Sequence, residues 1–368
     1  MKNNIVSIVV IADIHLGILD PIYQWENLKE NFLKYCIKNK PDIVVIDGDI
    51  MDERVSVNNT IASIFHMFID ELIKLDTTIL IVEGTKTHDD NQINVFSHRV
   101  NDKFRIYKTV TNDYVHGMSI LLIPEEYMTN PEDYYKDYLK KEYDFCFGHG
   151  MANHIAYVNK KKPIFRKLTS PMWDDERDFK NIIKGRTVFG HVHTHSKNGK
   201  FHYVGSFGRY NHGEEEPKGF MHYKYDKSKK QIVSEQFIEN TNAKVFKTVV
   251  ESDLPENRDE LMVKLKELSD ISFKLRIRLD RDIDELRMSD IMSFCKKKLN
   301  VSVDRLFERK KKKQNSNIDM LDGSKKVENK YENMDMIDAT IEFILEKHSI
   351  KMKKETIIKT LNNDDDHE

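Results

Sequence analysis

Short, almost wholly apolar runs recur along the first half of the chain, and they constrain the fold more than any other feature. They are "IVSIVVIA" (5–12), "DIVVID" (42–47), "TILIVE" (78–83), "SILLIPEE" (119–126), "DFCFGHG" (144–150) and "RTVFGHVH" (186–193). Each is far below the roughly 20 apolar residues of a membrane helix. Each is also too continuous for a strand with one wet face. Runs of this kind predict strands covered on both sides, as in sheets packed by other layers. The segments between them have helical spacing. Trp25, Leu28, Phe32 and Cys36 recur on one stripe before Pro41, and Ile61, Ile64, Phe65, Phe68, Ile69, Leu72 and Ile73 form an amphipathic helix over 60–75. Strand–helix alternation predicts an α/β sheet with parallel strands. The later "KFHYVGSF" and "GFMHYKY" predict antiparallel additions to it.

The texture changes near Val245. "KVFKTVVE", a helix over 256–268, "FKLRIRLD", a helix over 284–299 and "VSVDRLFER" predict a small β-α-β-α-β module over 245–309. A polar, charged stretch over 310–333 reads as a linker. A helical stripe through Ile337, Ile341, Ile344 and Leu345 then opens a segment over 334–361, before an acidic tail. The 368 residues carry a formal net charge of −2, which leaves room for a local basic face. Cys36, Cys146 and Cys295 follow no metal or disulfide spacing, and the apolar run after Met1 is too short for a signal peptide. The expectation is a cytoplasmic protein without membrane contact.

The predicted strands end in metal-type ligands. The first gives Asp13 and His15 ("ADIHLG"), the second Asp49 ("DGDIMD"), the fifth His149 ("FGHG") and the sixth His191 and His193 ("FGHVHTH"). Taken singly, each is an ordinary loop residue. Mixed carboxylates and imidazoles, all beyond the carboxyl ends of strands, suit a borderline divalent ion in the usual place for an α/β site. "EGTKTHDDNQ" (83–92) places His88 and Asp89 after the third strand.

The order "DIH … GDIMD … HD … GHG … GHVH" resembles the calcineurin-like metallophosphoesterases. "YVGSFGRYNHGEEEPKGF" (203–220) narrows the resemblance to SbcD-type DNA nuclease subunits, with the minimal or phage-encoded members most similar. It covers most of residues 1–240 and continues more loosely through 245–309. It implies a β-sandwich flanked by helices, a small α+β capping domain and a C-terminal helical segment. It implies two divalent ions, Mn²⁺ first among them. One would take Asp13, His15, Asp49 and His193; the other would take Asp49, His149 and His191, with Asp49 bridging. The reaction would be phosphodiester hydrolysis by a metal-activated water, with His88 at the leaving oxygen and Asp89 orienting it. The implied partners are DNA, an SbcC-like coiled-coil ATPase docked on 334–361, and a second copy, with the 60–75 helix a candidate for that contact. The setting would be the cytoplasm of a bacterium or of a phage-infected cell. A phosphoesterase on small substrates or RNA, and a catalytically weakened DNA-binding assembly subunit, are the alternatives.

One motif departs from the family. Where the pattern is "GNHD", this chain has "GTKTHD", with no Asn before the histidine. Thr87 through its hydroxyl, a water, or Asn91 folded back would have to fill that ligand position. Asp52, Lys161, Lys162 and Arg209 are candidate substrate-binding residues. For Asp52 a helix-capping role competes, and for Arg209 and Glu214 a structural ion pair does. Lys274, Arg276 and Arg278 alternate along one predicted strand and would share a face.

Overall fold

A computed structural model of the chain describes residues 4–53, 59–89, 92–127, 130–152, 173–279 and 283–305. Lys161, Lys162, Asn91 and the expected linker and helical segment of 310–333 and 334–361 lie outside the described residues.

Two six-stranded mixed sheets form the body. The first runs β12(Gln231–Glu239)-β11(Gly219–Asp226)-β1(Ile5–Ile11)-β2(Ile43–Asp47)-β3(Thr78–Val82)-β4(Phe104–Tyr107). Strands β1 to β4 pair in parallel, and β11 joins β1 antiparallel with Val9 opposite His222. The second sheet runs β5(Thr111–Val115)-β6(Met118–Ile123)-β7(Phe145–His149)-β8(Thr187–Gly190)-β10(Phe201–Tyr203)-β9(Ser196–Asn198). Its centre is parallel from β6 to β10. The expected antiparallel addition therefore holds for β11, whereas β10 lies parallel to β8 and antiparallel only to β9.

Strand alternation assigns the side chains to layers. Val9, Ile11, Val44, Ile46, Ile79 and Ile81 face one way, onto Leu28, Phe32, Cys36 and the helix Thr60–Ile73. Val10, Val45, Leu80 and Val82 face the other way, onto Ile120, Leu122, Phe145, Phe147 and Val188 of the second sheet. Leu121, Ile123, Cys146 and Phe189 cover the far face of that sheet with Tyr135, Trp173 and Phe179. Both faces of the central strands are thus dry, which is the reason their sequences show no polar alternation. The helix Thr60–Ile73 sends Ile64, Phe65, Phe68, Ile69 and Leu72 of its stripe into this core, while Ile73 is exposed.

The third sheet is smaller. β13(Phe246–Val250), β14(Lys274–Leu279) and β15(Val301–Arg305) pair in parallel, with helices Arg258–Ile271 and Glu285–Lys296 as crossovers. This is the β-α-β-α-β order read from the sequence. Leu275, Ile277 and Leu279 are buried while Lys274 and Arg278 are exposed; Arg276, half-buried, lies 3.1 Å from Asp304. Among the described residues no helix is long and apolar enough to cross a membrane.

Candidate metal centre

The parallel strands deliver their carboxyl ends to one edge of the sandwich, and the ligand-type residues sit in the loops that leave it. The backbone there is unusual. Asp13 (φ 48°), His15 (φ 47°), Asp49 (φ 48°) and His191 (φ 85°) all occupy the left-handed region. Non-glycine residues in that region carry strain that surrounding structure must hold in place, and such strain clusters at functional sites. The loops hold one another: Asp13 N–H donates to Gly48 O (3.1 Å), His15 N–H to Asp49 O (3.0 Å), and Leu16 N–H to Ile50 O (2.8 Å). His191 N–H donates to the Asp13 carboxylate at 2.9 Å. Gly48 (φ 78°) is required here, because a Cβ would lie 2.1 Å from His149 Nδ1 and 2.8 Å from Gly84 Cα.

Among the described residues three donor sets result, one of them His15, Asp52 and His88 and the other two built from the strand-end motifs. Asp13, His15 and His193 form the first of these two, and Asp49, His149 and His191 form the second; within each set the ligand atoms lie within 4.8 Å of one another. These two sets touch. Asp49 Oδ2 lies 3.2 Å from His149 Nε2 and 3.9 Å from His15 Nε2, and His149 Nε2 lies 4.0 Å from Asp13 Oδ1. These six residues, drawn from four separated motifs, are therefore brought together.

Tautomers can be assigned from the partners, because a carbonyl only accepts. His149 Nδ1 donates to Asp47 O (2.9 Å), so in the neutral ring Nε2 presents a lone pair toward the Asp49 carboxylate. His193 Nδ1 donates to Glu214 Oε1 (3.0 Å), so its Nε2 presents a lone pair toward His15 Nε2, 3.1 Å away. His15, whose Nδ1 makes no hydrogen bond, can donate there from Nε2. The His149 lone pair facing the Asp49 carboxylate, in contrast, is unfavourable in a buried site unless a proton or a metal ion lies between them. His15 Nδ1, His149 Nε2 and His191 Nδ1 are buried and make no hydrogen bond. The donor set, its burial and these orphaned nitrogens fit divalent cations.

The titration behaviour follows from the same crowding. Burial alone would raise Asp49, yet His149, with His15 and His88, holds it well below the carboxylate range. Burial opposes charging of His149, but Asp49, Asp13 and Glu125 outweigh it and raise its pKa well above the usual value. Burial would raise Glu214 as well, and the hydrogen bond from His193 and the charge of Lys218 bring it down to about 2.

His88 stands at the edge of the first set, its ring 4.8 Å from that of His15 and edge-on to it. Its Nδ1 donates to the backbone carbonyl of Asp52. The Asp52 side chain, partly exposed, lies 3.6 Å from His15 Nδ1. Asp89 has a different role from the one expected. Its carboxylate, fully buried, accepts from Ile50 N–H (2.8 Å), Met51 N–H (3.4 Å) and Gly84 N–H (2.9 Å), tying the second and third strand-end loops together instead of orienting His88. Burial, then the nearby Asp49 charge, push its pKa up to about 7.

Thr87 is exposed, and the threonine on the ligands is Thr85. Thr85 N–H donates to Asp49 Oδ1 (2.7 Å), and its hydroxyl reaches Asp49 Oδ2 (3.3 Å) and Glu125 Oε2 (2.7 Å). Glu125 was not among the residues the sequence singled out. It follows β6 in "IPEE" and is 5% exposed. Arg209 faces backbone carbonyls, Ala243 O at 3.0 Å and Glu215 O at 3.4 Å, and so braces the late motif. His195 Nδ1 donates to Tyr203 O at 2.9 Å, and His212 pairs with Thr248. Neither belongs to a donor set. No protein-family model matches the chain, and no curated protein matches its sequence.

Proposed function

We propose that this chain is a metal-dependent phosphodiesterase acting on DNA, a nuclease subunit of the SbcD type within the calcineurin-like metallophosphoesterases. The observation that carries the reading is the meeting of two donor sets at one carboxylate, Asp49. The residue order, the helix-flanked pair of sheets and the β-α-β-α-β module support it.

Asp13, His15 and His193 would hold one divalent ion, Asp49 would bridge, and His149 and His191 would hold the other, with Mn²⁺ the first candidate for a mixed oxygen and imidazole site. When bound, such a pair supplies charge for two phosphodiester oxygens and acidifies a water into a nucleophile near neutral pH. His88 has its Nδ1 committed to the Asp52 carbonyl, which fixes the tautomer and leaves Nε2 to share a proton with the leaving oxygen. Glu214 orients His193, and Tyr210 Oη, which donates within the loop that carries Asp13, holds that loop against the late motif. Lys274 and Arg278 offer cations to a phosphate backbone. An SbcC-like ATPase bound through 334–361, and a second copy of the chain, complete the proposed assembly.

The test is Mn²⁺-dependent degradation of linear duplex DNA by the full chain, alone and with an SbcC-like coiled-coil ATPase, set beside Asp49→Ala. Cleavage that needs Mn²⁺ and disappears in the variant is expected. A wild-type chain that hydrolyses a small phosphodiester but leaves DNA intact under both conditions would overturn the nuclease assignment in favour of a small-substrate enzyme.

A further inference from the structure

The second donor set lacks a side-chain oxygen of its own beyond the shared Asp49, because the loop that would supply one ends in Thr87, which is exposed. We infer that Glu125 supplies that oxygen, making the second ion's protein ligands Asp49, His149, His191 and Glu125, with Thr85 as the hydroxyl that locks the two carboxylates in register. The inference rests on the two-metal reading above and extends it to a residue from a different strand.

The spacing carries the argument. Two ligands about 2.1 Å from one ion stand about 3.0 Å apart at a right angle and about 3.4 Å apart at the tetrahedral angle. Glu125 Oε2 lies 3.3 Å from His191 Nδ1, and Asp49 Oδ2 lies 3.2 Å from His149 Nε2. In both pairs the histidine nitrogen is buried and makes no hydrogen bond despite the proximity. Close approach without alignment is what ligands aimed at a common third point show. Thr85 ties the pairs together, its one hydroxyl reaching Glu125 Oε2 at 2.7 Å and Asp49 Oδ2 at 3.3 Å. A hydroxyl has a single proton to give. One carboxylate receives it, and the two oxygens it lies between face His191 Nδ1 and His149 Nε2.

Glu125 is also held as a ligand should be. Its backbone N–H donates to Glu83 O at 3.2 Å, which fixes the start of the loop against the segment that leads from β3 to Thr85. Its other oxygen accepts from Tyr127 Oη at 3.0 Å, leaving Oε2 for the site. Charge agrees with this. Asp13, Asp49 and Glu125 are three carboxylates converging in a buried volume, with histidines as the other donors. Two divalent cations exceed the charge of these three ligands by one, before the buried Asp47 and Asp89 beside them are counted. An amide at this position would leave one more positive charge. The consequence is a second ion bound more tightly and polarising its ligands less than an amide-ligated one would.

The experiment is Mn²⁺ binding to the full chain, by calorimetry and by the electron paramagnetic resonance signal of a spin-coupled pair. Wild type is expected to bind two ions and give the coupled signal. Glu125→Ala should keep one site and weaken the other by at least about 100-fold, the upper end of what loss of an outer partner costs, and lose the coupled signal. Glu125→Gln, which keeps an oxygen donor and the side-chain volume, should restore part of that affinity. Thr85→Val should weaken the same site by about 10-fold. A Glu125→Ala chain that binds both ions like wild type overturns the assignment of Glu125 while leaving the two-metal reading standing. A folded wild type that binds a single ion and never gives the coupled signal overturns the two-metal reading itself, and Glu125 with it.

Discussion

Glu214 accepts a hydrogen bond from His193 Nδ1 at 3.0 Å, and the same carboxylate accepts from Tyr210 N–H at 3.0 Å. The late motif is thereby fastened to the sixth strand-end loop through one side chain. Lys218, whose side chain is fully buried, stands 3.5 Å from Glu214 and donates to His193 O at 2.8 Å. A carboxylate behind an imidazole fixes the tautomer and raises the basicity of the ligating nitrogen. Replacing Glu214 with alanine should therefore weaken binding at the first site by roughly 10- to 100-fold, with Glu214→Gln intermediate because an amide oxygen still accepts. Mn²⁺ titration of the two variants checks this. Equal affinity in wild type and Glu214→Ala would show that the bond does not support the ligand.

His88 touches His15 edge-on and groups with His15 and Asp52, outside the two sets assigned to the ions. Its substitution should separate catalysis from metal binding. His88→Ala is expected to lower kcat for phosphodiester hydrolysis by roughly 10²- to 10⁴-fold, the range for loss of a general acid or base. The Mn²⁺ stoichiometry should stay at the wild-type value. Steady-state kinetics and metal analysis on one preparation read both quantities. A variant that loses an ion along with its activity would place His88 among the ligands.

Much of the frame is legible in the sequence because β1, β2, β3, β6 and β7 are covered on both faces, and dry strands announce themselves as unbroken apolar runs. β4 and β5 do not. Their sequences, "FRIY" and "TNDYV", belong to strands at the edges of the two sheets and are only half-buried, so apolar and polar residues mix without a clear period. The same holds for the edge strand β12, "QIVSEQFIE". The six ligand-type residues are legible because each stands at the end of a run that is itself plain.

Glu125 also ends such a run, in "LLIPEE", but Pro-Glu-Glu after a strand reads as an ordinary solvated turn. Only the pairing of β6 with β7 and of β7 with β8, and the burial of its carboxylate, bring it to His191. Asp89 was read through its neighbour in sequence. A single helical turn over Lys86–Asp89 turns it inward, toward three backbone N–H groups that no local pattern reveals. Thr85 precedes that turn and its carbonyl accepts from His88 and Asp89 N–H, whereas Thr87 lies within the turn and is exposed.

Gly48 packs where no side chain fits, with His149 Nδ1 2.1 Å from the position of a Cβ and φ at 78°. Gly48→Ala should destabilise the fold by roughly 3 kcal/mol, combining left-handed strain with the displaced imidazole, and should abolish Mn²⁺ binding by moving His149. Gly213 is the control. It also has positive φ, at 100°, but a Cβ there meets nothing within 4 Å. Gly213→Ala should cost only about 1–2 kcal/mol of strain and leave metal binding intact. Urea unfolding of both variants, with Mn²⁺ titration, distinguishes crowding at the site from strain alone.

His202 lies between the two sheets, away from the metal centre. It is 1% exposed and its Nδ1 pairs with Tyr223 Oη at 2.9 Å. Burial opposes its protonation and brings its pKa from 6.5 down to about 4, with Glu235 acting the other way. Between those values the unfolded chain binds a proton that the folded chain refuses. Stability therefore rises with pH across the window, and the contribution, present above pH 6.5, is lost as pH falls toward 4. The full shift corresponds to something on the order of 3 kcal/mol. His202→Gln keeps a hydrogen-bonding group but cannot titrate, so its stability should fall less steeply than that of wild type from pH 6.5 to 4. Denaturant unfolding at a series of pH values gives both slopes, and parallel curves would show that His202 is not held neutral by the core.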